Sequence, residues 1–131
     1  MYGNSEQGVA LYQESVLAMQ VASATPHQLV LMLFSGLMDE LMRARSHILA
    51  KRFERKAQSI NKCIDILNGL TSALDYEKGG ELALNLAGLY DYSVYRLYDA
   101  SHNLDVEQLD EVIAILDNIK LGWEQMGSHE E

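Results

Sequence analysis

Residues 25–49, TPHQLVLMLFSGLMDELMRARSHIL, decide the fold, because they open with helix-starting residues and continue with apolar residues at helical spacing. Thr25 offers a capping hydroxyl, Pro26 suits the first helical position, where no N–H is needed, and Gln28 can complete a capping box. We therefore predict a helix over residues 26–50.

This helix carries more apolar side chains than one packing face uses. At about 100° per residue, one stripe has the composition of a bundle core: Val30, Leu33, Phe34, Leu37, Leu41, Ala44 and Ile48. A second stripe, about 100° further round, contains Leu31, Met38, Met42 and Leu49. Either both stripes face neighbouring helices, or the second, with its two flexible methionines, is a groove for another segment or another protein.

The length, charge and cysteine content of the chain limit the classes of protein that fit this sequence. The 131 residues, 48% of them hydrophobic, suit a single domain over residues 1–131. A net charge of −9 repels nucleic acid and anionic membrane surfaces, so we expect neither as a partner. The sequence has no secretory signal pattern and no apolar run long enough to insert into a membrane. Together with a lone Cys63, which we expect to be a small buried apolar residue, this favours the cytoplasm.

The rest of the chain also shows helical periodicity. After a weak, mobile N-terminal segment over residues 1–22, we predict helices over residues 53–74, 81–101 and 106–125, then a polar tail over residues 127–131. Gly79 and Gly80 are predicted to form the loop before the helix over residues 81–101, which has Leu82 on its core face. Asp105 is predicted to cap the helix over residues 106–125 together with Gln108. The pattern predicts an all-α fold, an antiparallel four-helix bundle with an additional short N-terminal helix.

Three tyrosines on the helix over residues 81–101 are predicted to face outward. Tyr92, Tyr95 and Tyr98 project away from the stripe that contains Tyr90. Exposed tyrosine rings are enriched at protein interfaces. They are either covered by neighbouring helices or the N-terminal segment, or they contact a partner.

No group of residues has the spacing of a catalytic or metal site. A di-metal carboxylate bundle needs two Glu-x-x-His pairs, and the nearest approach is Asp99 with His102. No serine or cysteine stands in a nucleophile motif, and Gly79-Gly80 is too little for a phosphate loop. We expect no catalytic residue, no cofactor and no metal. A small helical enzyme or metal carrier remains the alternative class, which a metal assay would detect.

Five stretches, in their order along the chain, resemble the FliS family of flagellar export chaperones. They are YQ at residues 12–13, the helix start TPHQLVLMLFSG at 25–36, the helix over 60–74 ending in LD at 74–75, GGELALNL at 79–86 and LYDY at 89–92. The resemblance covers nearly the whole chain. It implies a non-enzymatic cytoplasmic protein that binds the disordered C-terminal segment of flagellin 1:1, prevents premature polymerisation and keeps flagellin competent for type III secretion.

For a flagellin partner, the residues on the outward faces of the helices are the predicted contacts. The alternative functions involve other partners. We expect contacts from Tyr12, Gln13, Val16, Leu31, Met38, Met42, Tyr92 and Tyr95. In the free protein the N-terminal segment either covers part of this groove or is a permanent fifth element of the core. The alternative function is a self-associating helical adaptor that binds another flagellar export component, either an export-gate component or a co-chaperone. Such a protein would form a homodimer through the apolar stripe when free.

Gly36 and the glycine pair are expected to be structural. We expect Gly36 to allow close helix approach, and Gly79-Gly80 to form a turn.

Overall fold

Five helices make up a computed structural model that describes the backbone of residues 2–130 and the side chains of residues 13–127. They are α1 (Tyr2–Ser23), α2 (Pro26–Leu49), α3 (Phe53–Ser72), α4 (Tyr76–Asn103) and α5 (Val106–Glu130). Close packing joins α2 to α3, α3 to α4, α4 to α5 and α5 to α2. The predicted all-α fold is confirmed, with α2 to α5 forming the bundle and no strand in the described backbone.

The helix starts predicted from capping residues are confirmed. The N–H of Gln28 donates to Thr25 Oγ1 at 3.1 Å, and the N–H of Thr25 donates to Gln28 Oε1 at 3.0 Å. At the start of α5, the N–H of Gln108 donates to Asp105 Oδ1 at 3.1 Å. These bonds satisfy N–H groups that have no partner within the helix, which is why the two helices begin where they do.

The core lies on the axis shared by α2 to α5. Phe34 of α2 and Tyr90 of α4 meet there, with ring centroids 6.4 Å apart and ring planes inclined by 54°. The largest fully buried side chains, drawn from all four helices, are Phe34, Leu37, Leu41, Cys63, Leu67, Leu70, Tyr90, Ser93, Leu97, Leu109, Val112 and Leu116. As expected, Cys63 is buried, and its burial raises the thiol pKa to about 12.

The start of α4 differs from the prediction. The N–H groups of Glu77 and Lys78 donate to Asp75 Oδ1, both at 3.1 Å, so a helical turn forms before the glycine pair. Gly80 then adopts φ 51° and ψ −124°, a conformation that glycine alone adopts readily. The predicted loop is therefore a kink inside α4.

The residue of α4 that enters the core just after the kink is not the one predicted. We predicted Leu82 on the core face, but it is exposed, and Ala83 is buried in its place. The reason is rotational phase within the regular helix: at about 100° per residue, Ala83 lies about 20° from the direction of the buried Tyr90, whereas Leu82 lies about 80° away from it.

The end of α5 also differs from the prediction, because the helix continues to Glu130 where we expected a polar tail. Gly127 is buried and lies against the imidazole of His27 at the start of α2. The His27 ring also packs on Trp123, with centroids 5.2 Å apart. A glycine at this position lets the last described turns of α5 lie against the start of α2.

Helix α1 presents its described side chains to solvent. Among residues 13–23 only Val16 is half-buried, and Leu17, Met19 and Val21 are exposed. Residues 13–23 are therefore not a fifth element of the core, whereas the side chains of Leu11 and Tyr12 lie outside the described residues. Within the described part of the chain, no helix has the length and hydropathy needed to cross a membrane.

Candidate partner-binding surface

The second apolar stripe of α2 is partly core and partly surface. We call Leu31, Met38, Met42 and Leu49 the α2 stripe. Leu31 and Met38 are half-buried, and Met38 packs against the hydrophobic core. Met42 and Leu49 are exposed, Met42 to 53%. Met38 therefore packs as the core interpretation predicts, whereas Met42 and Leu49, the second exposed to 60%, are the members of the stripe that a partner can reach.

The outward facing of the α4 tyrosines is confirmed. We call Tyr92, Tyr95 and Tyr98 the tyrosine patch, and these side chains are exposed to 46%, 66% and 56%. Successive tyrosines are three residues apart and lie one turn above each other on the solvent side of α4. Neither neighbouring helices nor residues 13–23 of α1 cover them. Large rings left this accessible are the kind of surface that protein partners use.

An ion pair orients one ring of the tyrosine patch. The guanidinium of Arg96 lies 5.9 Å from the centroid of the Tyr92 ring. Its Nη2 donates to Glu111 Oε2 of α5 at 2.9 Å, and this bond raises the pKa of Arg96. The cation is thus fixed between the ring and the neighbouring helix, which limits the rotamers open to Tyr92.

The α2 stripe and the tyrosine patch lie on helices that do not pack side by side. Helices α2 and α4 are not neighbours in the closed packing order, because α3 and α5 each pack between them. The predicted contact residues therefore do not line one groove. A partner that touches both surfaces has to pass around the outside of a neighbouring helix, as an extended or flexible segment can.

The α1 contacts predicted from the sequence can be placed in part. Gln13 is exposed and Val16 is half-buried, whereas the Tyr12 side chain lies outside the described residues. At the junction of α1 and α2, a shallow cleft of about 410 Å³ brings Leu31 of the α2 stripe close to Gln20 and Ser23 of α1. The structure therefore links the α2 stripe to the end of α1.

The sequence prediction of contacts missed several exposed apolar residues, among them Leu84 and Leu49, and it missed one buried carboxylate. Leu84 is exposed and lies three helical turns before Tyr95 on the same face of α4. This spacing could have predicted from the sequence that Leu84 faces outward. Leu49, which the periodicity did place in the α2 stripe, is exposed at the end of the helix. Glu40 of α2 is buried, and no sequence signal separates it from the neighbouring solvent-facing charges.

No metal site is formed by the residues that the structure describes, since no three His, Cys, Asp or Glu side chains come together as ligands. Asp99, which the sequence paired with His102, instead accepts a hydrogen bond from Gln108 Nε2 at 3.4 Å.

Comparison with known proteins identifies the family. The family described as flagellar protein FliS matches residues 8–130 of this chain. The chain belongs to the FliS family. A flagellar secretion chaperone FliS of Salmonella typhimurium is 41% identical over 120 residues, which are 91% of this chain and 89% of that protein. The flagellar secretion chaperone FliSB of Pseudomonas aeruginosa is 42% identical over 86% of this chain and 90% of its own length. A more distant FliS, from Bacillus subtilis, is 30% identical over 80% of this chain and 77% of its own length.

Proposed function

We propose that this chain is a cytoplasmic export chaperone that binds the C-terminal segment of flagellin. One chaperone holds one flagellin, prevents its premature polymerisation and keeps it competent for flagellar type III secretion. Family membership supports the chaperone role, because the relatives are flagellar secretion chaperones.

The observation that carries the proposal is the separation of the two exposed apolar surfaces. Met42 and Leu49 lie on α2 and the tyrosine patch lies on α4, with another bundle helix between them. A folded partner with one flat interface meets only one of these surfaces. A segment that is disordered when free can wrap around the bundle and reach both.

Energetics favour many shallow contacts for such a client. Ordering a disordered segment costs about 2–5 kcal/mol or more, which burial of apolar surface at about 25 cal/mol/Å² has to offset. The exposed side chains Met42, Leu49, Tyr92, Tyr95 and Tyr98 supply apolar area without a deep pocket. No reaction is needed for this role, and we propose that the protein is not an enzyme.

Titration calorimetry with a peptide of about the last 40 residues of the flagellin from the same cell tests the proposal. We expect saturable 1:1 binding with a negative heat-capacity change, measured at three temperatures. A scrambled peptide of the same composition is the control. Absence of binding to a folded protein contradicts the proposal, and a protein that then sediments as a dimer favours the self-associating adaptor.

A further inference from the structure

The positive charge of this acidic chain is concentrated around one turn of the bundle. Seven of its ten lysine and arginine residues lie between residues 43 and 62, and Glu54 is the one acidic residue in that range. The rest of the chain carries three lysine or arginine residues against eighteen aspartate and glutamate residues. The basic range covers the end of α2, the turn after it and the first half of α3. This part of the molecule therefore has a positive field that the net charge of −9 conceals.

Three cations at the turn have no carboxylate to neutralise them. We call Lys51, Arg52 and Arg55 the basic surface, and all three side chains are exposed. None of them forms an ion pair within the described part of the chain, although the nearby Arg43 and Arg45 each bond to a carboxylate. Neighbouring like charges repel each other, and a partner that supplies carboxylates removes that repulsion.

Neutral acceptors hold Arg52 in place. Its Nε donates to His47 Nδ1 at 3.0 Å, and its Nη2 donates to Ser46 Oγ at 3.3 Å. Partial burial lowers the pKa of His47, and the nearby charges of Arg52 and Arg55 lower it further. Glu40 opposes this shift with a smaller effect. The guanidinium of Arg52 is therefore fixed in position while its charge remains uncompensated.

The basic surface ends where the outer side of α2 and α3 becomes mixed in charge. Lys62 shares an open cleft there with Asp39 and Asp65. Gly36 lines the same cleft, and a Cβ built on it meets only Ile66 Cδ1, at the ordinary van der Waals distance of 3.9 Å. Our expectation that Gly36 allows close helix approach is therefore wrong. The uncompensated positive charge is limited to the few residues around the turn.

The small size of the basic surface selects among anionic partners. Nucleic acids and anionic membranes are extended, so they also come within range of the carboxylates elsewhere on the bundle and are repelled. A short run of aspartate and glutamate residues in a protein meets only the cations around the turn. Its carboxylates can also accept two parallel N–H groups from one guanidinium, as Arg52 and Arg55 offer.

We propose that the basic surface is a docking site for an acidic segment of a protein other than the client. The client surfaces are apolar: Met42 lies two helical turns before the end of α2, and the tyrosine patch is on α4. The cations steer the acidic segment to the turn, and Arg52 and Arg55 bind its carboxylates. One surface chemistry thus serves the client and another serves a second protein.

Fluorescence anisotropy with labelled octaglutamate and the full chain tests the docking site. We expect saturable binding that weakens as the salt concentration is raised from about 50 to about 300 mM, because exposed charges are screened. Arg55→Glu should weaken the Kd about tenfold or more, whereas Arg55→Lys, which keeps the charge, should change it by less than about threefold. The matched control is Lys78→Glu, the same charge change at an exposed position at the start of α4, and it should bind as the wild type does.

Two outcomes of this titration contradict the proposal. They are the absence of octaglutamate binding to the folded wild type and equal binding by wild type and Arg55→Glu. If Arg55→Glu does not fold, Arg52→Gln decides in its place, with an expected loss of several-fold in affinity.

Other anions test the class of partner. Neither a single-stranded oligonucleotide of about 20 residues nor phosphatidylcholine vesicles with about a quarter phosphatidylserine should bind at the salt concentration where octaglutamate binds. Binding of either as tightly as octaglutamate would make the turn a general anion site and would overturn the assignment to an acidic protein segment.

The client and a second copy of this chain are the remaining occupants to separate. The flagellin peptide should bind wild type and Arg55→Glu equally, and a tenfold loss would instead assign the basic surface to the client. Sedimentation at low salt should be the same for both proteins, and a dimer lost in Arg55→Glu would make a second copy the acidic partner. If the wild type does not bind the flagellin peptide at all, the proposed function fails, whereas the octaglutamate result still decides this inference.

Discussion

Arg96 connects the tyrosine patch to the neighbouring helix, because its guanidinium lies 5.9 Å from the Tyr92 ring centroid while its Nη2 bonds to Glu111 of α5. One cation therefore holds an exposed ring and an exposed carboxylate in place. This arrangement limits the motion of Tyr92 before any partner arrives. Such pre-organisation reduces the conformational entropy that the Tyr92 side chain loses when a partner binds.

Replacing Arg96→Gln is expected to release Tyr92. Both partners of Arg96 are largely solvent-exposed, so the free energy of unfolding should fall only slightly. Affinity for the flagellin peptide should fall several-fold, and much less when Tyr92 is already leucine. A double-mutant cycle by calorimetry measures this coupling, with the exposed Arg55→Gln as the charge-matched control. Additive effects of the two substitutions would contradict the orienting role.

The proposed client surfaces predict a loss of binding without a loss of folding. Tyr95→Asp and Met42→Asp place a charge on exposed apolar positions, so each should weaken the Kd for the flagellin peptide about tenfold or more. The melting temperature should stay within a few degrees of wild type. The exposed Asn118→Asp adds the same charge on α5 and should bind normally. Wild-type affinity in both apolar variants would remove these surfaces from the client site.

Two glycines of α5 should respond to alanine with opposite signs. A methyl group on Gly127 collides with the His27 imidazole, so Gly127→Ala should lower the free energy of unfolding by about 1–3 kcal/mol. Gly122 has open space at the Cβ position, so Gly122→Ala should raise it by up to about 1 kcal/mol. Urea unfolding followed by circular dichroism measures both. A shift of the same sign in the two variants would mean that Gly127 does not pack on His27.

Burial of Tyr90 and Cys63 predicts alkaline destabilisation. Burial raises the pKa of Tyr90 from 10.0 to about 12, partly offset by a hydrogen bond with Trp123, and raises that of Cys63 from 9.0 to about 12. As the pH rises, the unfolded chain loses these protons before the folded chain does. The two groups therefore make their full contribution to the free energy of unfolding below pH 9, and that contribution falls as the pH rises. Between pH 10 and 12, each group should contribute a fall of about 1.4 kcal/mol per pH unit.

Urea titrations at pH 8, 10 and 11 check this expectation. Tyr90→Phe should leave only the Cys63 share of the pH dependence, whereas the exposed Tyr98→Phe should leave the full dependence. An unchanged slope in Tyr90→Phe would show that the Tyr90 hydroxyl titrates as it does in water.

Deleting residues 1–20 separates the roles of α1. The described side chains of this segment are mostly exposed, so the unfolding free energy should change by less than about 1 kcal/mol. Affinity for the flagellin peptide should fall, because Tyr12, Gln13 and Val16 are proposed contacts. Val16→Ser tests the same contact at full length. Unchanged affinity in both proteins would exclude α1 from the client site and would leave no support for its covering the groove.

The helix class, the starts of α2 and α5 and the outward tyrosines could be predicted from the sequence because each depends on residues three or four apart. The capping bonds of Thr25 with Gln28 and of Asp105 with Gln108 join near neighbours, as helical periodicity does. The start of α4 could not be predicted in the same way. The Asp75 cap and the kink at Gly80 combine into one helix where the glycine pair alone indicates a loop.

The sequence by itself therefore determined the helical bundle, its core face on α2 and the family to which the chain belongs. Only the tertiary structure decided that Gly127 lies on His27, that the two apolar surfaces are separated by a helix, and that Glu40 is buried although its neighbours Asp39 and Arg43 are exposed. The physical reason is range. Helix formation is governed by contacts within a turn, whereas burial of a side chain depends on which neighbouring helix packs against it, and residues far apart in the chain fix that packing.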